Sequence, residues 1–192
     1  MTTLPRGVLQ RGANVELTRE VPGLSGLVVG VQWDVGGETA LADNLVTAAL
    51  LCDSHSRALS DRHFVFFNQL AAPDLSVQQL EQAVGDDQDQ IEIDLAAVPS
   101  DVERIVIVLY VNEGPALRRT LGQLRHCTVR ALNADGNTEL VRSEDLAPAL
   151  STELAVSLAE VYRRDAGWKF KVLGQGYATG VAGVLADYGL SA

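Results

Sequence analysis

The segment Glu153-Leu154-Ala155-Val156-Ser157-Leu158-Ala159-Glu160-Val161-Tyr162-Arg163 is followed by Arg164-Asp165-Ala166-Gly167 and then by Trp168-Lys169-Phe170-Lys171-Val172. Its first part admits two periods. Leu154, Val156, Leu158, Glu160 and Tyr162 alternate as along a strand, whereas Leu154, Leu158 and Val161 would also stripe a helix. The neighbours decide between them. Arg164-Asp165-Ala166-Gly167 is turn-like, and residues 168–172 alternate apolar and polar strictly, a pattern that needs an antiparallel partner. The spacing predicts a β-hairpin turning over residues 163–168, and with it a mainly β protein.

Period two recurs outward from this hairpin. Asn14-Val15-Glu16-Leu17-Thr18 alternates, residues 27–31 are a β-branched run ending at Trp33, and Ile91-Glu92-Ile93-Asp94-Leu95 places its acids on one face. Arg104 to Val111 is apolar on both faces, as a central strand covered from each side should be. Residues 128–132 and 139–141 form a second candidate hairpin across Asn133-Ala134-Asp135-Gly136-Asn137. Helical spacing is confined to two short pieces. One begins near Pro115 with Leu117, Leu121 and Leu124, and the other follows Gly180 with Val181, Val184, Leu185 and Tyr188. With no internal repeat and no Pro- or Ser-rich linker, these elements predict one domain over residues 1–192. Its fold class is an antiparallel β-sandwich with short peripheral helices.

The chain has 192 residues, 47% of them apolar, enough for a sizeable core. Fifteen basic residues against 25 acidic ones give a net charge of −10, which repels phosphate backbones and anionic lipid. Nucleic acid is therefore excluded as an expected partner, and cations are the better guests. No apolar run reaches the ~18 residues of a membrane span, and residues 1–11 lack an apolar signal core. The expectation is a cytoplasmic protein without direct membrane insertion. Cys52 and Cys127 lack the paired short spacing of zinc or redox motifs, and Cys52 sits in the apolar run Ala48-Ala49-Leu50-Leu51-Cys52, where a thiol behaves as a small hydrophobe.

Catalytic motifs are not apparent. His55, His63 and His126 lack metalloprotease spacing, and no Gly-x-Ser-x-Gly elbow accompanies them. His63, just before Phe64-Val65-Phe66-Phe67, reads as a strand-end or turn residue. Gly174, Gly176 and Gly180 miss the phosphate-loop spacing and read as turn and close-packing glycines. An enzymatic or ligand-binding alternative would need Asp34, Asp53, Asp61 and His63 to converge in one cleft. The acidic loop Gly85-Asp86-Asp87-Gln88-Asp89-Gln90 could supply the hard oxygens that calcium prefers or be a solvated loop, and it has no EF-hand spacing.

Several segments, in order along nearly the whole chain, carry a resemblance: Gly12-Ala13-Asn14-Val15-Glu16-Leu17-Thr18, Gly30-Val31-Gln32-Trp33-Asp34-Val35, Ala49-Leu50-Leu51-Cys52-Asp53, and Leu59-Ser60-Asp61-Arg62-His63-Phe64-Val65-Phe66-Phe67-Asn68. It continues through Val98-Pro99-Ser100-Asp101-Val102-Glu103-Arg104-Ile105-Val106 and Trp168-Lys169-Phe170-Lys171-Val172-Leu173-Gly174-Gln175-Gly176-Tyr177-Ala178-Thr179-Gly180. The sequence resembles the TerD family of tellurium-resistance and stress proteins. The resemblance implies a β-sandwich with peripheral helices, no known catalytic residues and cytoplasmic stress complexes with related Ter proteins. In many members it also implies calcium held by acidic loops.

This chain departs from the family pattern at the metal segments. Where the family has Asp-Leu-Asp-x-Ser, the chain has Asn44-Leu45-Val46-Thr47-Ala48, and Leu80-Glu81-Gln82-Ala83-Val84 replaces the Asp-Asn-x-Thr-Gly stretch before Gly85-Asp86-Asp87. Asp86, Asp87 and Asn44 remain as residual calcium candidates. Because affinity follows the count of charged ligands, binding in the weak range of about 10⁻⁴ to 10⁻³ M is expected, with no cofactor held tightly. The expected function is a non-enzymatic interaction module in tellurite or general stress complexes, with TerD-family or membrane-linked Ter partners. The apolar residues Phe64, Phe66, Phe67 and Leu70 exceed what one strand face can bury, although a strand buried on both faces would also account for them. The alternative is a calcium- or small-ligand-binding protein using the residual acidic loop.

Overall fold

The computed structural model describes residues 7–112 and 117–191. Their strands form two six-stranded sheets. The first runs β1 (Val8–Leu9), β10 (Glu139–Ser143), β9 (His126–Asn133), β3 (Gly26–Asp34), β7 (Asp89–Asp94), β6 (Val77–Gln79). The second runs β2 (Asn14–Glu16), β12 (Gly167–Tyr177), β11 (Ala155–Arg164), β8 (Arg104–Val111), β4 (Leu45–Cys52), β5 (Phe64–Val65). Neighbours within the sheets pair antiparallel except β1 and β10, which pair parallel.

The deciding hairpin forms as expected, and it turns more tightly. β11 and β12 pair from Arg164↔Gly167 outward to Ala155↔Tyr177, leaving only Asp165 and Ala166 as the loop. Both loop residues have positive φ, 51° and 63°, the conformation that matches a two-residue turn to the strand twist. The second hairpin, β9 with β10, also forms.

Strand β8 lies between β11 and β4 and explains its unbroken apolar run. Ile105, Ile107, Leu109 and Val111 enter the core between the sheets. Val106, Val108 and Tyr110 face outward and pack with Ala48, Leu50, Cys52 and Val184. The helices among the described residues are α1 (Leu17–Glu20), α2 (Thr39–Ala42) and α3 (Val181–Asp187), and Val184 belongs to α3, the helix expected after Gly180, which covers the outer face of the second sheet. Each fully buried side chain of this size contributes about 1.5–3 kcal/mol by leaving water.

Two expectations are corrected. The alternation through Thr18 stops at Glu16, because a short helix, α1 (Leu17–Glu20), turns fully buried Leu17 into the core and lets the Thr18 hydroxyl accept from Trp168 N at 3.0 Å. The helix placed near Pro115 begins outside the described residues. In the described residues that follow, Leu121 sits in a 3₁₀ turn, Leu121–Gln123, closed by a reciprocal cap. Gly122 N donates to Thr120 Oγ1 (3.2 Å) and Thr120 N donates to Gln123 Oε1 (3.1 Å). Gly122 packs against the Ser151 backbone, which holds the turn against its neighbour. No helix among the described residues is long and apolar enough to cross a membrane.

Candidate functional site

In the first sheet, Leu27, Val29 and Val31 of β3 point into the core, so Gly30 lies on the outer face. The register sets Gln90, Gly30, Arg130 and Arg142 in one row across β7, β3, β9 and β10. Having no side chain, Gly30 leaves a slot in this row, and the carboxylate of Asp87 fills it; a Cβ on Gly30 would run into that carboxylate.

The acidic loop is tied down around this contact. Gln88 N donates to Val31 O (2.9 Å) and Gln88 Oε1 accepts from Trp33 N (2.8 Å). The Gln90 carboxamide accepts from Val84 N (3.0 Å) and donates to Val84 O (2.9 Å) and to Asp87 Oδ2 (2.7 Å). Arg130 then closes on Asp87 as a fork, Nε to Oδ1 at 2.9 Å and Nη2 to Oδ2 at 3.1 Å. Its Nη1 reaches Glu139 (3.1 Å), which also accepts from Arg142 Nη2 (2.7 Å), and Arg142 Nη1 donates to Gln32 Oε1 (2.7 Å). The Asp87 side chain is wholly excluded from solvent and that of Arg130 is 16% exposed. Burial works against the Arg130 charge, but the Asp87 and Glu139 carboxylates outweigh it and hold its pKa above the ordinary value.

The sequence-derived metal candidates are engaged differently. Asp87 gives both oxygens to Arg130 and Gln90, Asp86 is exposed, and Asn44, just before β4 in the second sheet, donates its side-chain amide to Ala40 O at 2.8 Å. Asp89 faces Thr47 of β4, and burial pushes its carboxyl up while the Thr47 hydroxyl pulls it back. Among the described residues no three His, Cys, Asp or Glu side chains form a group able to hold a metal ion. Calcium asks for six to eight oxygens, and a carboxylate that already gives three of its four acceptor sites to a guanidinium and an amide does not fit that demand.

The tetrad of the enzymatic alternative is divided among three turns. Asp34 Oδ1, at the end of β3, accepts from Gly36 N (2.8 Å). Asp53 Oδ1, following β4, accepts from His55 N (2.8 Å) and Arg57 N (3.0 Å), bonds that lower its pKa, with that from Arg57 the stronger influence. Asp61 and His63 lie in the 3₁₀ turn Asp61–His63, where His63 Nδ1 meets Ser60 Oγ at 2.7 Å. Cys52 and Cys127 are free and buried, and burial pushes both thiols up to about 12.

The aromatic run after His63 divides between core and surface. Phe64 and Val65 are buried in β5, Phe66 stacks on Phe64 with centroids 4.8 Å apart, and Phe67 meets Phe66 edge-on at 5.2 Å. Phe67 and Leu70 are 45% and 41% exposed. A tight turn carries them out, with Phe66 and Gln69 exchanging backbone hydrogen bonds at 3.0 and 2.9 Å.

Reading the sequence alone missed Gly30, Gln90 and Arg130. A signal for two of them existed: a lone glycine inside an apolar strand marks close approach by another group, and Arg130 is the one charge in Thr128-Val129-Arg130-Ala131-Leu132.

The profile of the TerD domain matches residues 7–188. The tellurium resistance protein TerD of Serratia marcescens is 36% identical over 189 residues, covering 96% of this chain and 97% of its own. General stress protein 16U of Bacillus subtilis (strain 168) is 35% identical over 187 residues, covering 95% and 96%. Among solved structures, a homologue of telluride resistance protein (TerD) from Streptomyces coelicolor A3(2) superposes with a TM-score of 0.63 at 17% identity, over 88% of this chain and all of the other.

Proposed function

Since this chain belongs to the TerD family, we propose that it is a stress protein of the tellurium-resistance type that works without catalysis, as an interaction module binding related Ter proteins in the cytoplasm. The observation that carries this reading is the pair Phe67 and Leu70, left half in water beside the Phe64 and Phe66 stack. Apolar side chains held out by a tight turn, on a sheet edge whose strand β5 is two residues long, suit a protein contact better than they suit core packing. The names of the relatives supply the physiological setting, tellurium resistance and general stress.

The test is a Phe67→Ser/Leu70→Ser variant expressed in a strain lacking the native copy. It is expected to melt within a few degrees of the wild type, since both positions are substantially exposed. It is also expected to lose tellurite tolerance and co-purification with a TerD-family partner. Full tolerance from the folded double variant would overturn the reading.

A further inference from the structure

We infer that Arg130 stands in for a metal ion: its guanidinium is the cation around which the acidic loop over β3 is built, and the loop keeps its shape without calcium.

A carboxylate wholly excluded from solvent cannot remain charged at low free-energy cost without a cation close by. For Asp87 that cation is Arg130, bound through two parallel contacts of 2.9 and 3.1 Å. The remaining capacity of Oδ2 goes to the Gln90 amide at 2.7 Å, so a divalent ion would have to displace a protein donor to coordinate that oxygen, and the acceptor site left on Oδ1 belongs to a side chain wholly excluded from solvent. The slot is shaped for this occupant. Gly30 provides the space above the sheet, and Arg130 is its register partner, so the guanidinium reaches Asp87 from the adjacent strand.

Charge balance points the same way. Along the row, Asp87 and Glu139 face Arg130 and Arg142, two acids against two bases, and Glu139 accepts from both arginines. Within the row, each carboxylate is thus matched by a guanidinium, and the loop's exposed Asp86 lies outside it. Arg130 is held at both ends, by Asp87 on one side and Glu139 on the other, so the internal cation is fixed in place as well as present.

The experiment melts the full chain in EDTA and in about 5 mM CaCl₂, as wild type, Arg130→Ala, Asp87→Asn and the Arg130→Ala/Asp87→Asn double variant. The wild type is expected to melt at the same temperature in both buffers, whereas a tight calcium site would raise it by roughly 5–10 °C. Arg130→Ala is expected to melt about 10 °C lower in EDTA and to regain part of that loss in calcium, because the vacated slot then presents free carboxylate oxygens. The double variant is expected to melt above Arg130→Ala in EDTA and to ignore calcium. If Arg130→Ala does not fold in EDTA, recovery of folded protein on adding calcium or on adding Asp87→Asn reads the same claim. A calcium-dependent rise in the wild type that Asp87→Asn abolishes would overturn the inference. So would an Arg130→Ala variant that is as stable as the wild type or indifferent to calcium.

Discussion

The two sheets share one core and finish their outer faces in opposite ways. On the second sheet, Ala48, Leu50, Cys52, Val106, Val108 and Tyr110 form one apolar cluster with Phe64 and with α3, whose Val184 is fully buried in it. On the first, past Val28 and Leu132, the outer face carries Gly30, Gln32, Arg130 and Arg142, with the acidic loop strapped over it by charge. The difference shows how an outer layer can be attached. Apolar contact is tolerant of the angle at which a helix lies, whereas a forked ion pair accepts one geometry. The first sheet therefore has the more precisely placed loop, and the second the more forgiving cover.

The largest test of this contrast is a charge in the dry face. Val108→Asp buries a carboxylate with no partner and is expected to abolish cooperative folding, a loss above about 4 kcal/mol, read by circular dichroism and solubility. A soluble, cooperatively melting Val108→Asp protein would mean that α3 does not seal the second sheet.

Gly30→Ala probes the other face with a single methyl group. The new Cβ meets the Asp87 carboxylate and must push the loop away, at an expected loss of about 2–3 kcal/mol in urea unfolding. Faster amide exchange should be confined to residues 84–90. A silent substitution would show that the strap yields freely.

The smallest effect compares the covered face with the core itself. Cys52 lies beneath α3 and Cys127 between the sheets, and burial pushes both thiols up to about 12 from an ordinary 9.0. Folding therefore holds both as neutral thiols. Any stability tied to this is complete below pH 9 and declines as pH climbs from 9 toward 12, where the unfolded chain sheds protons that the folded one retains. At pH 8 a thiol reagent should label neither cysteine in the native protein and both after denaturation. Selective labelling of Cys52 would show that α3 opens to solvent.

What could be read from the sequence follows the same division. Strand Arg104–Val111 of the second sheet was legible because burial on both faces leaves an unbroken apolar run, and α3 was legible because a covering helix repeats with its own period. The hairpin of β11 with β12 was readable from the turn between them. The strap on the first sheet was not. Asp87 and Arg130 are 43 positions apart, and nothing local in Gly85-Asp86-Asp87 says which cation, bound or built in, those acids face. The described end of the helix expected near Pro115 was misread for a related reason. Three leucines spaced for a helix are also what a loop shows when it dips repeatedly into a core, and the Thr120 cap and the Ser151 backbone beside Gly122 made it one.

The four sheet margins in the described residues are all short: β1 and β5 have two residues each, β2 and β6 three. A ladder of that length gives a foreign strand too few hydrogen bonds to add on, so the sandwich does not template its own polymerisation. A partner that docks on the faces of this molecule meets side chains rather than main chain, and recognition there can diverge by ordinary substitution while the scaffold stays unchanged.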